Sequence, residues 1–127
     1  MQTRSTLRLC SLIFILCSFC QDGAQMKFNS TKHNFGFVRQ GDVLEYDYEF
    51  TNNGQQPLLV SDTKTECACT TAEKPAKPVL PGESGKIHMR FDSKSAIDRQ
   101  ERTIIVSSNA KNSPVTLTFK CIVLKKK

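Results

Sequence analysis

Two cysteines separated by one residue, Cys67-Ala68-Cys69, form the most reactive pairing in the chain, inside the run Thr65-Glu66-Cys67-Ala68-Cys69-Thr70-Thr71. Residues two apart on an extended strand share a face with Cα atoms about 6.6 Å apart, the upper end of what a disulfide spans. A local bridge therefore needs the backbone to fold in on itself. It also closes so short a loop that it stabilises by at most about 1.6 kcal/mol, whereas a bridge across the about fifty residues to Cys121 gives roughly 4 kcal/mol. Stability thus favours the long bridge where geometry allows it. Cys121 falls on the inward phase of a late strand, which suits a buried free thiol equally well. Of the six cysteines, Cys67, Cys69 and Cys121 lie outside the first two dozen residues, and three leave one unpaired in any oxidising compartment. The residues alone keep four states open: a Cys67–Cys69 bridge, a bridge to Cys121, free thiols, or a metal site.

Two thiolates at Cys67 and Cys69 would suit a soft ion such as Cu(I) or Zn. A closed zinc site needs two more ligands, and His33 and His88 are the only histidines. His88-Met89 has the composition of a copper pair, but neighbouring strand residues point to opposite faces. Reactive thiols lie at helix N-termini or beside a positive group. Here Glu66 precedes the pair and no helical period surrounds it. No G-x-S-x-G, H-E-x-x-H or P-loop pattern occurs. Glu45, Asp47 and Glu49 read as the wet side of a half-buried strand. The expectation is a protein that is not an enzyme, with no cofactor, and with metal or thiol handling by Cys67 and Cys69 as the alternative.

The elements around these residues carry a period of two. Leu44, Tyr46, Tyr48 and Phe50 alternate with Glu45, Asp47 and Glu49, the pattern of a strand with one face in a core. Ile87, Met89 and Phe91 repeat it, as do Val115, Leu117, Phe119, Cys121 and Val123. Residues 33–38, 58–63 and 103–107 read as further strands, and residues 25–32 as an extended lead-in. Pro75, Pro78, Pro81, Gly82 and Gly85 make residues 73–85 a loop, because proline cannot donate to an interior ladder. Val79 and Leu80 are expected to plug the end of the core. About seven short strands with regular turn signals argue an all-β sandwich.

The first residues read as an address label. Arg4 and Arg8 precede an uncharged stretch over residues 9–19, followed by Asp22-Gly23-Ala24, as in a secretory signal. Thirteen uncharged residues between Arg8 and Asp22 are too few for the about 20 of a spanning helix. Bacterial lipoproteins carry a small residue before the modified cysteine and an aliphatic one three before it. Phe19 and Cys17 stand there instead, which argues against a lipid anchor at Cys20. Cleavage is expected after Ala24, with a cut after Cys20 as the nearest competitor. The remaining residues 25–127 make one domain of net charge +5. Three of its positive charges are Lys125, Lys126 and Lys127, so the excess reads as a solvated tail and not as a nucleic-acid patch.

His33-Asn34-Phe35-Gly36, Tyr48-Glu49-Phe50-Thr51-Asn52-Asn53-Gly54, Pro57-Leu58-Leu59-Val60, Cys67-Ala68-Cys69-Thr70-Thr71, Pro81-Gly82-Glu83-Ser84-Gly85 and Ser107-Ser108-Asn109-Ala110 follow one another in order. In this the chain resembles the bacterial domain-of-unknown-function 1573 family over about residues 27–124. That family is itself similar to the immunoglobulin-like ASPM–SPD-2–Hydin and major-sperm-protein domains. The resemblance implies an immunoglobulin-like sandwich, export to a periplasmic or extracellular space, and no assigned activity. Where the family usually has Cys-Gly-Cys, this chain has Ala68, which would strain a turn that relied on positive φ there. The expected role is an exported binding or structural module whose partner is a protein or another cell-envelope component.

Overall fold

The computed structural model describes residues 23–127, so the signal reading of residues 1–22 lies outside the described residues. Two four-stranded sheets face each other, ordered β1-β3-β6-β5 and β2-β8-β7-β4. In chain order the strands are β1 (Met26–Phe28), β2 (Lys32–Arg39), β3 (Val43–Asn52), β4 (Val60–Thr65), β5 (Thr70–Glu73), β6 (Ser84–Asp92), β7 (Asp98–Ser108) and β8 (Val115–Leu124). Among the described residues there is no α-helix, and no helix is long and apolar enough to cross a membrane. The all-β sandwich stands, with eight strands.

The alternating segments supply the core. Tyr48 and Phe50 from β3, Ile87, Met89 and Phe91 from β6, Ile104 and Val106 from β7, and Leu117 and Phe119 from β8 are all fully buried. Burying such a side chain gives about 1.5–3 kcal/mol, which is why these strands hold their register. Val79 closes one end as expected, bridging Leu58, but Leu80 is exposed. Its N–H bonds the Glu83 carboxylate in a tight turn, and the turn directs the side chain outward. β7 begins at Asp98, ahead of the strand expected over residues 103–107, because pairing along β8 overrides the polar composition of its first residues.

The chain changes sheets between its first two strands. β1 pairs antiparallel with β3 only at residues 50–52. After Asn29 donates to the Glu49 carbonyl, the chain crosses to the other sheet, where β2 runs parallel to β8. Gly36, at φ 75°, lies in the register shift of β2, a backbone state open to glycine without strain. Gly23 and Ala24 belong to the sandwich: Ala24 is buried, its carbonyl accepts from Lys111, and the Gly23 carbonyl accepts from Gln55.

Asn52 is fully buried at the end of β3. Its amide nitrogen donates to the carbonyls of Gln56 (2.7 Å) and Val79 (2.9 Å), and its oxygen accepts from Gln25 (3.3 Å) and Gly54 (3.0 Å). One side chain thereby fixes the β3–β4 turn, the lead-in to β1 and the end plug.

Candidate functional site

Cys67 and Cys69 are bonded to each other, with Cα atoms 5.3 Å apart, and Cys121 is a free, buried thiol on β8. The separation is shorter than an extended strand gives because residues 68–69 form a turn. Ala68 is not among the positive-φ residues, so that turn needs no glycine. The long bridge that stability favours is not the one formed: Cys121 sits on the inward face of β8, while the pair lies in the connection from β4 to β5. Thr70 Oγ1 stands 3.9 Å and 3.8 Å from the two sulfurs. The Glu66 carboxylate accepts from the Thr103 backbone N–H and hydroxyl, which lowers its pKa. Burial pushes the Cys121 thiol up, away from thiolate chemistry. His33 and His88 lie on different sheets, and among the described residues no group of three His, Cys, Asp or Glu side chains is arranged to hold a metal ion.

A second cluster was missed by sequence reasoning. His88 on β6 lies opposite Asp47 on β3. Its Nδ1 is 2.5 Å from an Asp47 oxygen and its Nε2 is 3.1 Å from Glu45. The Asp47 hydrogen bond, then that of Glu45, raises the His88 pKa; the His88 hydrogen bond lowers that of Asp47. An imidazolium donates from both ring nitrogens and satisfies both carboxylates, whereas neutral imidazole presents a lone pair to one of them. A carboxylate–histidine pair is part of a hydrolytic triad, but there the second nitrogen faces a nucleophile. Here Glu45 occupies it. The three outward phases were visible in the sequence; their alignment depended on the β3–β6 register.

The third feature is an open flank. Asn53, Thr51 and Glu49 of the β3 chain turn their backbone groups toward β1, as the bonds Asn53 N–H to Gln25 and Asn29 N–H to Glu49 show. Backbone direction alternates along an antiparallel ladder, so Glu45 and Asp47 continue the same phase. Their N–H and C=O groups point to the side that β1 vacates. Among the described residues no strand pairs with residues 43–48 on that side. Half-buried aromatics line it between the sheets: His33 stacks on Tyr46 at 3.8 Å, and Phe35 meets His33 edge-on at 4.5 Å. Desolvation lowers the His33 pKa. The opposite flank is closed. Thr63 donates to the Ala72 carbonyl and Lys74 to the Ser61 carbonyl, so β4 and β5 seal each other.

Comparison with known proteins follows this geometry. A sequence model described as "Protein of unknown function (DUF1573)" matches residues 26–123. None of the curated proteins matches the chain. A protein of unknown function from Porphyromonas gingivalis W83 superimposes with TM-score 0.66 at 21% identity, covering 83% of this chain and 48% of that one. The chain thus spans less than half of that relative's length. The ASH/PapD-like domain 7 of human CEP192 matches with TM-score 0.56 at 10% identity, over 97% of this chain and 99% of that one. The YadV chaperone matches with TM-score 0.51 at 12% identity, over 81% and 53%. The chain belongs to the DUF1573 family, with an immunoglobulin-like, PapD-like fold.

Proposed function

We propose that this family member is an exported, non-enzymatic module that binds an extended segment of a partner protein along the open flank of β3. The observation that carries it is the phase of Glu45 and Asp47, whose backbone groups face out of the sheet with no strand beside them among the described residues. An extended polypeptide can pair there by adding a strand, while pockets beside the edge select alternate side chains. The aromatic wall of His33, Phe35 and Tyr46 supplies such a surface. A chaperone among the structural neighbours supports the reading. Non-enzymatic action fits a His88 held by two carboxylates, and export fits the pattern of residues 1–24.

The test separates backbone from side chain. Peptides selected on the protein from a random display library are measured against Glu45→Pro and Glu45→Ala. Proline removes an edge N–H without removing a β3–β6 ladder bond. The reading expects Glu45→Pro to weaken binding by about tenfold, one hydrogen bond's worth, and Glu45→Ala to leave it nearly unchanged. Equal affinities for both variants would refute pairing at this edge.

A further inference from the structure

We infer that the outer face of the β2-β8-β7-β4 sheet, at its Phe37 end, docks on an anionic lipid bilayer. This surface is distinct from the β3 flank and independent of its role. Three register rows cross it: Asn34, Lys120 and Glu101; Phe37, Ile122 and Arg99; and Arg39 beside Leu124. Phe37 is 71% exposed, Leu124 48% and Ile122 38%. They are register neighbours on the outward face of β2 and β8.

Cations surround it. Arg99 and Lys120 lie within these rows, and Arg39 lines an open depression with Leu124, Lys125, Lys126 and Lys127. Among the described residues none of these six is in an ion pair. The acids at this end are Asp42, Asp92, Asp98 and Glu101. One Asp42 oxygen accepts from the Arg39 N–H and one Asp92 oxygen from the Lys94 N–H. The lysines, read from the sequence as a solvated tail, are therefore gathered beside an exposed aromatic.

Charge and apolar exposure choose the occupant. A peptide needs a groove or a free edge, and β2 is blunted on its edge by the bulge at Gly36 and by Lys32 and Arg39. Phe37, Ile122 and Leu124 are exposed on the outward face of the sheet, in register rows shared with Arg39 and Arg99 and next to Lys120. An exposed aromatic flanked by cations matches a fluid, negatively charged surface: the ring enters the interface and the cations meet phosphate headgroups.

The experiment uses residues 23–127, which contain both sheets and the whole core. Vesicles of phosphatidylcholine, with and without phosphatidylglycerol, are the probe. The chain has no Trp, so Phe37→Trp introduces a single fluorescent reporter. We expect a blue shift and quenching by brominated lipid with phosphatidylglycerol vesicles only, reversed by salt. Each cation contributes about fivefold to such binding, so Lys125→Gln, Lys126→Gln and Lys127→Gln together should weaken it by about a hundredfold. Phe37→Ala should weaken it by about tenfold. Both variants change exposed positions, and unchanged circular dichroism confirms the fold. Equal binding to both vesicle types, or none at low salt, overturns the inference. Poly-glutamate binding in place of vesicles overturns it too, in favour of an acidic protein partner.

Discussion

Two imidazoles in one small domain are tuned in opposite directions. His33 is desolvated against Tyr46, which lowers its pKa; His88 gains two carboxylate partners, which raise its pKa. In an NMR titration the two ring C–H signals should therefore move on opposite sides of the ordinary value of 6.5. The His88 contribution to stability is fully present below the unfolded histidine pKa and is lost as pH rises through its raised folded value. That of Asp47 is present above its ordinary 3.8 and lost as pH falls through its lowered value. The cluster contributes most between those limits, and only weakly because it is partly exposed. His88→Gln should flatten this pH dependence in urea unfolding and leave the core intact. Asn52 carries far more. Removing its amide leaves the Gln56 and Val79 carbonyls without that donor and the Gln25 and Gly54 N–H groups without that acceptor. Asn52→Ala should cost about 3–5 kcal/mol, read as a lower urea midpoint at unchanged slope. The sequence showed an Asn-Asn-Gly turn; its burial follows from contacts with residues far along the chain.

Strands with two distinct faces were legible as elements. β3, β6 and β8 alternate cleanly, and their inward residues are the core. β1 and β5 were not, because three or four residues give no period to read. The sheet change between β1 and β2 was hidden for another reason: it is a choice of partners, set by β3 and β8. The Gly23 and Ala24 carbonyls make backbone bonds, and a Cβ at Gly54 would collide with the Gly23 carbonyl and Ala24 backbone. Gly54→Ala should therefore destabilise the domain by about 1–3 kcal/mol, seen as a lowered melting midpoint. A cut after Ala24 would discard those bonds. On the proposed export, the mass of the processed chain should place its N-terminus before Gly23, as a cut after Cys20 would; a mass starting at Gln25 would contradict this.

At the scale of the molecule, the two flanks of the sandwich are unlike. One is stitched by Thr63, Lys74 and the Cys67–Cys69 turn; the other is left open where β1 ends. The cysteine pair, the most conspicuous chemistry in the sequence, belongs to the closed flank, and its short loop adds little stability. The open one was invisible to composition, since its backbone groups belong to residues chosen for other reasons. The central claim is that Glu45 and Asp47 pair there with an extended polypeptide. Amide hydrogen exchange, followed residue by residue with and without a bound selected peptide, tests it most directly. The account predicts fast exchange at Glu45 and Asp47 in the free protein and strong protection of both in the complex, with Tyr46 slow in each. Protection confined to other surfaces, with Glu45 and Asp47 still exchanging freely in the complex, would contradict it.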